Sequence, residues 1–151
     1  MLRKQIRELA TRLDAPVFEP HVTIFIAPMN SRDPAKILRE VGAGTIELTI
    51  RNIQFSDEFT KTLFVQFENS HALQELGDRI WRASGSPERQ ILDPHLSLLY
   101  ANLSSDTKQK VADQITFPFG AVWFRSICAV GCARPTTCKA EVEEWRVVAP
   151  Q

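Results

Sequence analysis

The sequence predicts an α+β domain whose strands pair in antiparallel fashion. Apolar residues recur at helical spacing in some segments and alternate at strand spacing in others. The segments 45–55 and 61–68 alternate in this way and are separated by only a few residues, which favours a hairpin over the long crossover of a parallel sheet. The chain contains no glycine-rich phosphate loop, no linker and no low-complexity segment. A chain of 151 residues is therefore expected to form a single domain over 1–151.

Helix signals mark the first part of the chain. Apolar residues at helical spacing over 2–13 predict an amphipathic N-terminal helix. Asp33 as N-cap and Pro34 at the first helical position predict a second helix, which Gly42 ends. Between the two helices, the sequence alone gives no regular element other than the segment discussed below.

The remaining elements alternate strands and helices. The hairpin strands 45–55 and 61–68 are followed by a helix that Ser70 caps and that a Gly-Ser-Pro loop ends. A fourth helix is predicted over 105–115, and Pro118 closes it. Two stretches rich in β-branched and aromatic residues, around 121–130 and 141–148, predict two final strands.

Composition and charge narrow the class of partner. The chain has 18 basic and 18 acidic side chains, so its formal net charge is zero. This balance argues against a protein that grips duplex nucleic acid, and any nucleic-acid partner is expected to be a small fragment or an end. No apolar run is long enough to span a membrane, and charges run through the first residues, unlike a signal peptide. We therefore expect a cytoplasmic, monomeric protein with no membrane partner.

Three cysteines, Cys128, Cys132 and Cys138, lie close together in the sequence. Their spacing, with no histidine nearby, is not that of a zinc site. We expect reduced thiols that pack as small hydrophobic groups, with an air-oxidised surface pair as the alternative.

Two segments share one pattern, which is proline, histidine, apolar, hydroxyl, apolar. They occupy 20–24 and 94–98, where the sequence reads PHVTI and PHLSL. The segments are 94 − 20 = 74 residues apart, about half the chain, which indicates two similar halves.

Each segment is predicted to be a strand, on which side chains two apart point to the same face. His21 would then stand beside Thr23, and His95 beside Ser97. If the two halves pack side by side, two imidazoles and two hydroxyls converge on one concave surface. The apolar residues of both segments are expected to bury the opposite face: Val22, Ile24, Ile26, Leu96 and Leu98.

Such a surface suits hydrolysis of a phosphodiester. Imidazole titrates at about pH 6.5, so one copy can take a proton from water while the other gives a proton to the leaving oxygen. The hydroxyls can donate to the non-bridging phosphate oxygens, whose charge must be stabilised in the transition state. This chemistry requires no metal and no other cofactor.

The two H-x-[S/T] motifs, with the segments FEPHVTI, FTKTLFVQF, DPHLSLLY and EWRVV, resemble the 2H phosphoesterases. Within that group the sequence is most similar to the cyclic nucleotide phosphodiesterases of plant and yeast type. The resemblance covers most of the chain. It implies the bilobal α+β fold of the 2′–5′ RNA ligase-like proteins, in which two antiparallel sheets with outer helices surround a pseudo-twofold cleft. It also implies metal-independent opening of nucleoside 2′,3′-cyclic phosphates to 2′-phosphates, and of ADP-ribose 1″,2″-cyclic phosphate.

The resemblance also assigns roles to individual residues. His95 would be the general base and His21 the general acid, with the hydroxyl residue of each motif beside them. Tyr100 matches an aromatic residue that contacts substrate in relatives, but strand parity points it away from His95 unless the strand bends or ends there. Phe59 is a candidate stacking surface for a nucleobase.

Two other functions stay open on the sequence. An enzyme of the same chemistry could act on RNA ends or 2′–5′ linkages. A non-catalytic module could keep the cleft to bind a nucleotide or an RNA end, although such a binder would not need two acid/base groups.

Overall fold

The computed structural model describes residues 1–28, 31–42 and 44–150. These residues contain both helices and strands, and the strands form one four-stranded and one two-stranded sheet. In chain order the elements are α1 (Leu2–Leu13), α2 (Pro34–Val41), β1 (Ile46–Phe55), a 3-10 turn (Phe59–Lys61), β2 (Leu63–Phe67), α3 (His71–Ser84), β3 (His95–Leu99), α4 (Ser105–Ala112), β4 (Ala121–Phe124), β5 (Cys128–Gly131), α5 (Lys139–Glu143) and β6 (Arg146–Pro150).

The larger sheet is antiparallel throughout and has the strand order β3-β2-β1-β4. Strands β1 and β2 form the predicted hairpin. In the β2–β3 pair, Gln66 lies opposite His95 and Phe64 lies opposite Ser97. The second motif is thus fixed in register at one end of the sheet. The smaller sheet pairs β5 with β6, also antiparallel.

The main hydrophobic core lies between α1 and the larger sheet. Ile6 and Leu9 of the helix are almost fully buried, as are Leu63 and Val65 of β2. Leu96 and Leu98 of β3 are also fully buried, as expected for the apolar positions of the second motif: both have 0% exposure. This packing makes β3 a rigid support for Ser97, which lies between the two leucines.

A second, smaller core joins α2 to α3 through Ile37, Val41, Leu76 and Ile80. Side chains cap both helices, since the carboxylate of Asp33 accepts from the N–H of Ala35 and the hydroxyl of Ser70 accepts from that of Leu73. These two residues are the N-caps that the sequence predicts.

The loop between β1 and β2 is fixed by a buried lysine. Lys108 of α4, only 3% exposed, donates from Nζ to the carbonyl of Ser56 at 2.9 Å and to the Asp57 carboxylate. The Ser56 hydroxyl in turn donates to the carbonyl of Lys61 at 2.8 Å. A buried ammonium group requires such partners, and here they hold the 3-10 turn in place.

The α+β class with antiparallel sheets is confirmed, and some boundaries differ from those predicted. The stretch 121–130 is not one strand but two, because β4 pairs with β1 and β5 pairs with β6. Part of 141–148 is helical, since the Glu141 carboxylate accepts from the backbone N–H groups of Thr137 and Cys138 at the start of α5. Helix α4 ends at Ala112, three residues earlier than predicted.

The first motif departs most from prediction. Residues 20–24 run through an irregular segment that forms no strand ladder within the described part of the chain. Val22 and Ile24 still pack against the core, but Ile26 is 46% exposed, so the expectation that it would be buried is wrong.

All three cysteines are exposed, so the expectation that they pack as small hydrophobic groups is wrong. They lie on β5, in the loop that follows it and at the N-cap of α5, where little covers them. In the described ranges, no helix is both long and apolar enough to cross a membrane. The predicted pseudo-twofold relation between two lobes stays a prediction.

Candidate active site

A cleft of about 270 Å³ separates the irregular segment of the first motif from the end of the larger sheet. It brings together all four of the motif side chains on which the sequence-based prediction depends: His21, Thr23, His95 and Ser97. The wall also includes residues at the 3-10 turn and in the loop before β3, among them Glu58, Thr60, Lys61, Gln90, Ile91 and Asp93.

His21 is oriented by its own backbone. Its Nδ1 lies 2.7 Å from the carbonyl oxygen of Glu19, two residues earlier. Because a carbonyl oxygen only accepts, Nδ1 carries the hydrogen and Nε2 is left to exchange protons. The Nε2 atom lies 3.5 Å from the hydroxyl oxygen of Tyr100, and Phe18 and Trp145 meet the imidazole ring edge-on.

His95 is held in the same manner. Its Nδ1 donates to the carbonyl oxygen of Asp93, again two residues earlier and again at 2.7 Å. Phe64, buried on the neighbouring strand, meets the ring at 5.5 Å between centroids. Both histidines therefore present Nε2 as the nitrogen that is free to exchange protons, and both line one cleft.

The pKa of His95 lies below its usual value. Burial is the largest cause, because it disfavours the charged imidazolium. The positive charges of Lys61 and of protonated His21 lower the pKa of His95 further, while the Asp93 carbonyl and carboxylate act against them. His95 is thus disposed to be unprotonated near neutral pH.

The two hydroxyls differ in their surroundings. Thr23 is exposed and opens directly onto the cleft. Ser97 is only 4% exposed, and its Oγ donates to the carbonyl oxygen of Thr60 at 2.8 Å. To donate to a ligand, the Ser97 hydroxyl must turn away from that carbonyl.

Tyr100 lies just beyond the end of β3, which is the condition under which the sequence allows it to reach the site. Its ring is 2% exposed and stacks on Phe18 at 3.9 Å between centroids, so only the hydroxyl is available to the cleft. Burial raises the pKa of Tyr100 strongly, which keeps the hydroxyl protonated and able to donate. A hydrogen bond, rather than stacking, is what this position can offer a ligand.

Phe59 begins the 3-10 turn and packs beside Tyr100, with 6.1 Å between the ring centroids. It is partly buried against the main core, while its neighbours Glu58 and Thr60 line the cleft. Its role as a stacking surface stays a prediction.

Sequence reasoning missed two features of this cleft, the Lys61–Asp93 ion pair and the side chain of Gln90. In the first, Lys61 forms an ion pair with Asp93, and Gln66 donates to the same carboxylate at 3.0 Å. A signal for Asp93 was available, because an acidic residue stands two positions before the histidine in both motifs. Nothing local in the sequence indicates that Lys61 and Gln66 would meet it, since that contact depends on strand register.

The other missed residue is Gln90, which bridges the loop before β3 and the irregular segment. Its side-chain amide accepts from the N–H of Ile26 at 2.8 Å and donates to the carbonyl of Ile26 at 2.6 Å. One amide side chain thereby replaces a strand partner for the irregular segment. Beside it, Ile91 is 97% exposed.

Comparison with known proteins gives the family. The family model described as "Cyclic phosphodiesterase-like protein" matches residues 1–151. The chain belongs to this family. It is also 26% identical over 153 residues to a cyclic phosphodiesterase of Arabidopsis thaliana, which covers 97% of this chain and 84% of that relative.

Membership in the cyclic phosphodiesterase-like family confirms the predicted resemblance and the prediction of a phosphodiesterase enzyme. It supports hydrolysis of cyclic phosphodiesters in general. Among residues 1–28, 31–42 and 44–150, no three His, Cys, Asp or Glu side chains are grouped as a metal site would need.

Proposed function

We propose that this protein hydrolyses 2′,3′-cyclic nucleotides to nucleoside 2′-phosphates by two-histidine acid/base catalysis, with ADP-ribose 1″,2″-cyclic phosphate as a further substrate. The observation that carries the proposal is the matched orientation of His21 and His95. Each ring is locked at Nδ1 by the carbonyl two residues earlier, and each lines the same cleft.

The reaction follows from this pair. His95 takes a proton from water through Nε2, and the water oxygen forms a bond to phosphorus. The bond between phosphorus and the 3′ oxygen breaks, and His21 gives its proton to that oxygen. The products are a 3′-hydroxyl and a 2′-phosphate, and the two imidazoles then exchange protons with water to return to their initial states.

The assignment of His95 as base is supported by its surroundings. Its pKa is lowered, first by burial, so it is the histidine better suited to begin the reaction without a proton. Thr23 and Ser97 are the proposed donors to the non-bridging oxygens, and Tyr100 adds a donor beside His21.

The size and charge of the protein support a small substrate. The cleft of about 270 Å³ is near the lower end of the range for ligand pockets, and the chain has no net charge with which to hold a long polyanion. We propose a small nucleotide as the partner, without duplex nucleic acid, membrane or cofactor, and a monomeric, cytoplasmic enzyme.

The test is incubation with 2′,3′-cyclic AMP in excess chelator, followed by separation of the 2′- and 3′-phosphate products. The 2′-phosphate is expected, and neither His21→Ala nor His95→Ala should form it at a comparable rate. A 3′-phosphate, or dependence on added metal, would contradict the mechanism. Tight binding without any product would favour a binding module, and turnover only of oligonucleotides would favour an enzyme of RNA ends.

A further inference from the structure

The acidic residues that precede the two histidines differ in their surroundings. Glu19, two residues before His21, forms an ion pair with Arg3, and these side chains are 68% and 71% exposed. Asp93, two residues before His95, pairs instead with Lys61; their side chains are 54% and 19% exposed, and both line the cleft. The second pair is therefore part of the site, while the first lies on the surface.

Both carboxylate oxygens of Asp93 are occupied. Lys61 donates to Oδ2, and Gln66 donates to Oδ1 at 3.0 Å and to the carbonyl of Pro94 at 3.1 Å. Gln66 belongs to β2, which is in the core of the larger sheet. Asp93 is thus anchored to a rigid strand, together with its own carbonyl, which accepts from Nδ1 of His95.

The carboxylate itself does not hold the imidazole. Oδ2 of Asp93 lies 3.6 Å from Nδ1 of His95, too far for a hydrogen bond, while the Asp93 carbonyl oxygen lies at 2.7 Å. The carboxylate can act on His95 only through its charge, and Lys61 offsets that charge. Lys61 Nζ also lies over the ring of Phe64, 4.5 Å from its centroid, and Phe64 meets His95 edge-on.

We propose that the Lys61–Asp93 ion pair positions His95 and has no such role for His21. The pair holds Asp93 in place, and the Asp93 carbonyl in turn fixes the imidazole ring through Nδ1. Lys61 also offsets the charge of the Asp93 carboxylate, so that this charge does not stabilise the imidazolium. The proposal rests on the proposed function and adds two positioning residues to it. His95 consequently stays ready to accept a proton from water. The titratable groups around His95 in the cleft are Lys61, Asp93, His21, Glu58 and Tyr100.

The first test follows the imidazole of His95 directly, by NMR titration of its ring nitrogens. Lys61→Met removes the cation and leaves Asp93 to stabilise the imidazolium, so the pKa of His95 should rise by about one unit. Asp93→Asn removes the anion and leaves Lys61, so the pKa of His95 should fall. Arg3→Met removes the cation of the surface pair and is the matched control, with no change expected at His95.

Kinetics with 2′,3′-cyclic AMP supply the second readout. The acid limb of the kcat/KM profile should move to higher pH in Lys61→Met and to lower pH in Asp93→Asn, and Lys61→Arg should restore the wild-type profile. A merely structural role would lower activity at every pH without opposite shifts.

The proposal is overturned if the titration of His95 is the same in Lys61→Met, Asp93→Asn and the wild type. Because the NMR titration needs no turnover, it decides the matter even if the protein fails to hydrolyse the cyclic nucleotide. In that case the proposed function fails, and the NMR titration still shows whether the ion pair acts on His95. Should one variant not fold, the other still predicts a shift of defined sign.

Discussion

The two motif segments hold their histidines identically but are built differently. Both imidazoles are bonded through Nδ1 to the carbonyl two residues earlier at 2.7 Å. His95 begins a strand packed in the core, whereas His21 lies in an irregular segment supported by Gln90. The bond at Nδ1 is therefore common to both motifs, whereas only His95 has a charged pair beside it in the cleft.

The difference extends to the hydroxyls and the charges. Ser97 is buried and bonded to a carbonyl, and Thr23 is exposed. Lys61 and Asp93 stand beside His95, and the comparable pair near His21 faces solvent. In the proposed reaction, the base therefore lies on the rigid side of the cleft and the acid on the open side.

The largest expected effect separates the roles of the two histidines. His21→Ala and His95→Ala should each lower kcat for 2′,3′-cyclic AMP by roughly 10²- to 10⁴-fold. A phosphodiester with a 4-nitrophenolate leaving group needs no general acid, so His21→Ala should regain most of its activity on that substrate while His95→Ala should not. Release of nitrophenolate, followed by absorbance, gives the measurement. Rescue of His95→Ala instead would reverse the assignment.

The next comparison concerns the hydroxyls. Thr23→Ala and Ser97→Ala should each lower kcat by roughly 10²-fold, since each removes one donor to the phosphate. Only Ser97→Ala should also lower the melting temperature, because it leaves the Thr60 carbonyl without its donor. Thr23→Ser keeps a hydroxyl and is the control. Equal melting temperatures for the two alanine variants would show that burial of Ser97 has no energetic role.

Removal of the Tyr100 hydroxyl should have a smaller effect. Tyr100→Phe keeps the ring stacked on Phe18 and removes only the group 3.5 Å from Nε2 of His21. A loss of about 3- to 10-fold in kcat/KM is expected for one hydrogen bond, with little change in thermal stability. Steady-state kinetics on the cyclic nucleotide measure it. Unchanged kinetics would limit Tyr100 to a packing role.

The smallest effect is on stability as a function of pH. The pKa of His95 is lower in the folded protein than in the unfolded chain, so its contribution to stability is complete above pH ~6.5 and is lost as pH falls through the folded pKa. The lowered pKa of Asp93 adds a further loss at more acidic pH. His95→Gln should flatten the first decline in melting temperature. His71→Gln replaces an exposed histidine at the start of α3 and should leave the first decline in melting temperature unchanged.

Local sequence signals predicted much of the fold and the four motif residues. Caps such as Asp33 and Ser70 act within a few residues, so they can be recognised without knowledge of the fold. The two motifs are also patterns of a few neighbouring residues, so His21 and His95 could be recognised as candidates from the sequence. Whether 20–24 would form a ladder could not be predicted, because a ladder depends on a neighbour distant in sequence.

The contacts that sequence reasoning missed depend on strand register and on long-range packing. Lys61 meets Asp93 because β2 and β3 pair with Gln66 opposite His95. Trp145 is partly buried against the core and meets the His21 ring, a contact between distant parts of the chain. The sequence allows Tyr100 to reach the site only if the strand bends or ends before it, and β3 does end at Leu99.

The amide of Gln90 has a consequence for how the two walls of the cleft are joined. A strand ladder ties two walls together through many backbone bonds that no single substitution removes. Here both bonds between Gln90 and Ile26 come from one side chain, so a single substitution removes them together and releases the segment that carries His21 from this support.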